Sequence, residues 1–327
     1  MRTKGGFFIS GYRHEKEQVM SQSKDAHTYQ EQLDLLKARG LVVADEPSAL
    51  HCLEHHNYYR LSPYRFPFTS PGNRDVFRPS TTFEQLWALY TFDRQLRHLV
   101  IEACKSVEIS LRSRWAYEVG HRLGPLGYLE NAHFSTPLVY ARTLVKLHDE
   151  MERSKEDFIK HHRGTLLMPW PPAWVIVEIA SFGNISTLLS QLRQSAIRQA
   201  IAAPFGMDEQ AFCSLMHHLS VLQNTAAHHS RLWNRLFVFK FKLPRKKPPH
   251  LRPNFFEDPL LPKQEGKIHN TLIILIHLLR CIDPATDWPE RLIRLLCTLH
   301  PDLIPEMGFP ADWQTRPMWQ ALLVARP

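Results

Sequence analysis

Residues 208–242 read DEQAFCSLMHHLSVLQNTAAHHSRLWNRLFVFKFK. Stepped at 100° per residue, Leu215, Leu219, Leu222, Ala226, Trp233 and Phe237 fall on one narrow stripe, the face a helix turns to a core. Asp208 and Glu209 stand in the first turn, where the helix dipole favours acids. The spacing predicts one helix running to about Lys242. The same period recurs outward in both directions: Tyr29 to Gly40, Ser48 to His56, and a long helix from Phe83 to about Gly120 that Thr82 can cap. It continues at Pro137 to about His161, Ala173 to Ile201, Gly266 to Cys281 and Pro289 to Leu299. Residues 66–82 hold Pro67, Pro71, Gly72 and Pro79 and read as loop. No run of period-two alternation is long enough for a strand, so the expected fold is all-α. The expected division is a leader over 1–26, a helical domain over 27–243, a basic Pro-rich connector over 244–265 and a helical C-terminal part over 266–327.

Composition narrows the function. The 327 residues carry 44% hydrophobic and 22% charged side chains, close to globular averages, which excludes wholesale disorder. The longest apolar stretch, Thr271 to Ile282, is short and interrupted by His277 and Arg280, so no membrane span is expected. Met1 to Gln18 lacks the apolar core of a signal peptide, and the five cysteines never form a C-x-x-C. A cytoplasmic protein without disulfides, metal or cofactor is the expectation. Adjacent pairs such as His55-His56, His161-His162 and His217-His218 lack carboxylate or Cys partners at ligand spacing.

The net charge of +8 is concentrated. Between Gln210 and Phe256 there is no acid, while Arg231, Arg235, Lys240, Lys242, Arg245, Lys246, Lys247 and Arg252 supply +8. The remainder of the chain is therefore neutral. Such a local excess attracts polyanions, and counterion release from phosphates is its main gain. On the helix, His217, Asn224, His228, Arg231 and Arg235 would share the face opposite the core stripe. An ordinary exposed face mixes Lys with Glu; this one holds no acid. Histidine titrates near neutrality and moves protons, arginine grips phosphate oxygens, and asparagine orients either. Attack by an RNA 2′-hydroxyl needs no carboxylate and no metal.

The pattern N-x-x-A-H-H-x-R-L-W-N-R over Asn224–Arg235 resembles the signature of the Abi-like family of phage abortive-infection proteins, placed in the HEPN superfamily of helical ribonucleases. Asn57-Tyr-Tyr-Arg-Leu-Ser-x-Tyr64, Phe92-Asp-Arg-x-Leu-Arg97, Val107-Glu-Ile-x-Leu-Arg112, Trp174 with Glu178, Ser181-Phe-Gly183 and Met307-Gly-Phe-Pro-x-x-Trp313 with Trp319 fit in order. The resemblance implies a HEPN-type helical bundle with added N- and C-terminal helices. It also implies a homodimeric, metal-independent endoribonuclease that cuts single-stranded or loop RNA through an R-x4–6-H motif. On this chain the motif histidine is His228 and the asparagine Asn224, but Gln223 occupies the arginine position. Gln cannot supply charge to a phosphate, so two expectations stand. Either Arg231 or Arg235 takes that role, or the protein is a weakened HEPN-fold RNA binder in an RNA- or partner-regulated, toxin–antitoxin-like system. The expected catalytic set is His228, Asn224 and Arg231. The phosphate-binding set is Gln223, Arg235, His217, Lys240, Lys242, Arg245, Lys246 and Lys247. Asp93, Glu108 and Arg112 read as ion pairs that position helices; the sharper alternative has Arg112 facing the His228 helix in place of the missing arginine.

Overall fold

A computed structural model describes residues 26–165, 170–244 and 247–324. Arg245 and Lys246, and the leader up to residue 25, lie outside the described residues. The described residues are all-α apart from one small ribbon, and the chain forms two compact units that divide between Tyr90 and Thr91.

The first unit opens with α1 (Tyr29–Ala38), whose Thr28 and Glu31 form a reciprocal capping box. Gly40 follows at φ +94°, a left-handed position that stops the helix. Asp45 caps α2 (Glu46–His55), and Asn57 caps the single turn α3 (Tyr58–Leu61). Residues 66–82, expected as loop, contain a two-stranded antiparallel ribbon, β1 (Thr69–Ser70) with β2 (Asn73–Phe77). Its strands are short and β2 is exposed except at Phe77, which is why no alternation marks them. Tyr64 is buried and meets Tyr90 edge-on, while His56 and Trp87 complete the aromatic cluster. Tyr59 is exposed.

The helix α4 (Phe83–Leu123) starts in the first unit, with Thr82 and Gln85 capping each other, and enters the second. There follow α5 (Pro137–Arg153), α6 (Asp157–Thr165), α7 (Ala173–Ile179), α8 (Phe182–Gln191), α9 (Ser195–Ala202) and α10 (Glu209–Ala227). The helix expected over Pro137 to His161 is broken at Ser154–Glu156, and the one expected over Ala173 to Ile201 is three helices. Ser181 breaks it once by capping α8 through the Asn184 N–H. Beyond lie α11 (Pro262–Glu265), α12 (His269–Ile282), α13 (Trp288–Leu296) and α14 (Pro317–Val324). These C-terminal helices belong to the second unit: the Trp233 indole donates to the Leu303 carbonyl (3.2 Å), and Trp288 donates to that of Leu99 (2.9 Å). No described helix is long and apolar enough to cross a membrane.

Candidate functional site at the end of helix α10

Helix α10 buries Leu215, Leu219, Leu222 and Ala226 completely, as the stripe requires. It does not continue to Lys242. It ends at Ala227, with His228 as C-cap and His229 at φ +56°. The Ser230 N–H reaches the Thr225 carbonyl (3.0 Å) and the His229 N–H reaches that of Ala226 (2.9 Å), the paired bonds of a Schellman turn.

A buried carboxylate holds the chain beyond this turn. Asp93 is fully buried and accepts from the backbone N–H of Leu232 (3.1 Å) and Trp233 (2.7 Å), while pairing with buried Arg97. The chain is thus pulled out of helical register just after His229, and Leu232 and Trp233 enter the core from a turn. This corrects the five-residue helical face. His217, Asn224 and His228 share the exposed side of α10; Arg231 and Arg235 stand beyond the turn, both half-buried.

What α10 does assemble is a short line of polar groups. His217 and Asn224 are seven residues apart, nearly two full turns, and His228 is four further on, so one strip carries all three. Asn224 and His228 are linked through the backbone as well, the His228 N–H donating to the Asn224 carbonyl at 3.0 Å. At the other end of the strip, His217 meets Phe239 edge-on in an open groove that Lys242, Arg193, Arg198 and Ser190 help to line. Arg198 is partly neutralised by Glu209 at 2.6 Å. The remaining expected phosphate contacts are dispersed. Lys240 donates to the Pro262 carbonyl (2.5 Å) and lies 3.6 Å from Glu265, whereas Lys247 is exposed.

Gln223 is held from below. Its amide N–H donates to Glu108 (2.9 Å), whose other oxygen accepts from Arg112 (2.5 Å). Arg112 in turn donates to the backbone carbonyls of Glu178 (3.1 Å) and Ala180 (2.7 Å). Arg112 thus reaches the layer beneath Gln223 and ties α4 to the α7–α8 junction. Its NH1 and NH2 bonds go to Glu108 and those carbonyls. Sequence reasoning paired Glu108 with Arg112 along one helix but missed the third member, Gln223, because 115 residues separate it from Glu108.

The adjacent histidines divide sharply. His218 is buried, with Nδ1 donating to the Phe239 carbonyl and Nε2 accepting from Thr271, both at 2.9 Å; burial lowers its pKa to about 4. It is a neutral structural group, while His217 and His228 face solvent.

No curated protein and no solved structure matches the chain. The family model for Abi-like proteins matches residues 51–234, more than half its length, from the middle of α2 to the turn after α10. That span includes Asn57-Tyr-Tyr, the Asp93–Arg97 anchor, the Glu108–Arg112–Gln223 chain and the Asn224–His228 strip. By this match the chain belongs to the Abi-like protein family.

Proposed function

We propose that this chain is a phage-defence protein of the abortive-infection type that acts on cytoplasmic RNA through a HEPN-type site at the end of α10. His228 is the general acid/base and Asn224 orients the phosphate or the imidazole. The reaction is transesterification: the RNA 2′-oxygen attacks phosphorus, the bond to the 5′-oxygen breaks, and a 2′,3′-cyclic phosphate remains. One imidazole takes the 2′-hydroxyl proton and another protonates the leaving oxygen, a division that two chains of a homodimer supply. The observation that carries the reading is the exposed Asn224–His228 pair, fixed by a Schellman turn and anchored from behind by Asp93. Arg231 and Arg235, just past that turn, are the cations nearest in sequence.

The Gln223–Glu108 bond favours a second reading, a weakened nuclease kept for binding RNA. Gln223 is uncharged, and the Glu108 carboxylate beneath it is already paired with Arg112, so the motif position itself carries no charge where a HEPN nuclease keeps a guanidinium. Losing one charge-assisted contact to a transition state costs about 3 kcal/mol, or roughly a hundredfold in rate.

End-labelled single-stranded and hairpin RNAs, incubated in EDTA with the wild-type protein and with His228→Ala, separate the readings. Cleavage to cyclic phosphate ends is expected, and His228→Ala should reduce it by about a hundredfold or more. Cleavage unchanged by that substitution would sink the assignment. Tight, salt-sensitive binding without cleavage would select the binding protein. Gln223→Arg is expected to raise cleavage by about tenfold or more, because Glu108 is placed to receive and orient the new guanidinium. An unaltered rate in that variant would mean position 223 has no part in the chemistry. Light scattering tests the dimer, and a strict monomer with and without RNA would remove the shared site.

A further inference from the structure

Helix α2 carries a grouping that the ribonuclease reading does not use. Cys52 and Leu53 are buried on its inner side, which sends His51, Glu54 and His55 outward. These three stand at i, i+3 and i+4, so their side chains rise from adjoining positions of one helical face. The imidazole centroids of His51 and His55 are 4.5 Å apart, and one ligand atom from each of the three residues lies within 4.8 Å of the other two.

We propose that His51, Glu54 and His55 form a surface binding site for a divalent transition-metal cation, with Zn²⁺ the best match. Two imidazoles four residues apart on a helix, joined by a carboxylate, make a borderline N₂O donor set suited to Zn²⁺, Ni²⁺ or Cu²⁺. Mg²⁺ and Ca²⁺ prefer oxygen ligands and are excluded by the two nitrogens. Ligand bonds of about 2.0–2.1 Å place neighbouring donors about 3.3 Å apart around a tetrahedral ion. The present spacing closes to that by rotamer adjustment of three exposed side chains, with no backbone movement. The fourth position is open to water. The site also lies in the last turns of α2, where the carbonyl end of the helix dipole favours a cation. His56, next in sequence to His55, is not part of the set. His56 turns inward instead, its ring against Trp87 and Tyr90 and its Nδ1 on the Cys52 carbonyl. The helical partner of His55 is His51.

The test is calorimetric titration of ZnCl₂ into the full-length protein and into a His51→Ala/His55→Ala variant, each first stripped with chelator. Other histidines of the chain contribute equally to both proteins, so the difference reports this site. The wild type is expected to bind one equivalent of Zn²⁺ more than the double variant. Each single His→Ala change should weaken that equivalent by about tenfold or more, and Glu54→Gln by less. Excess Mg²⁺ should not compete. Circular dichroism of the variant without metal should match the wild type, since all three side chains are exposed. Identical isotherms for wild type and double variant would overturn the proposal. His228→Ala leaves the zinc equivalent in place, so failure of the ribonuclease reading and failure of this site are read separately.

Discussion

Replacing Asp93 with Ala is expected to destabilise the protein by about 3–5 kcal/mol, the range for removing one member of a buried ion pair. Three groups lose a partner at once. Arg97, itself 3% exposed, loses its counter-ion, and the N–H groups of Leu232 and Trp233 lose their acceptor. Water does not reach a site of zero exposure without opening the core. Asp93→Asn also leaves Arg97 without its counter-ion but keeps one acceptor oxygen for the buried N–H groups, so its loss should be smaller than that of Asp93→Ala, and this variant should fold. Urea unfolding at neutral pH measures both. The two values should fall in that order with little change in slope, and an Asp93→Ala variant as stable as the wild type would refute the anchoring role. The consequence extends to function. Asp93 holds the segment that follows the Schellman turn, so under the proposed function Asp93→Asn should weaken RNA cleavage or binding more than its loss of stability explains.

This anchor also shows where the sequence stopped being legible. The stripe Leu215, Leu219, Leu222 and Ala226 reveals α10 and its buried side, because burial of one face imposes a period that any reader of the chain recovers. The end of α10 leaves no such trace. No Gly or Pro stands at 228–231, and Trp233 and Phe237 happen to continue the period although they are buried from non-helical backbone. The helix stops because Asp93, 140 residues away from Trp233, offers the backbone a better partner than the next helical turn. A tertiary contact overrides the local pattern. The same holds for Gln223. As a sequence position it is a departure from a motif; in three dimensions it is one end of a chain through Glu108 and Arg112 to the α7–α8 junction. His228 and Asn224 were legible through the resemblance, and the strip they share with His217 through helical geometry. The grouping of Arg231 and Arg235 with them rested on helix beyond Ala227, and that helix is absent.

Acid should destabilise the second unit well before its carboxylates titrate, through three buried histidines. In His269, Nε2 accepts from the Trp319 indole (3.3 Å); an indole N–H only donates, so this nitrogen is unprotonated and Nδ1 carries the proton toward Asn270 (3.2 Å). Burial pushes its pKa down to about 3, and that of His218 to about 4. Burial also lowers His277, which donates from Nε2 to the Phe205 carbonyl at 2.8 Å. In each case the folded state holds the neutral ring while the unfolded chain takes up a proton near its ordinary value of 6.5. Their contribution is therefore intact above about pH 6.5. It is lost as pH falls below that value, because the unfolded state then binds more protons. Between pH 7 and pH 5.5, His218 and His269 together forfeit on the order of 2 kcal/mol, and His277 adds to the loss in the same direction. Urea unfolding at those two pH values should show that drop, and the ring resonances of His218 and His269 in the folded protein should show both unprotonated at the lower one. Equal stability at both would mean that the rings accept protons in the folded state. Because Trp319 and Phe309 pack against His269, and Trp313 against both, protonation there should expose the aromatic cluster of the C-terminal helices, and a red shift in tryptophan emission should accompany the loss.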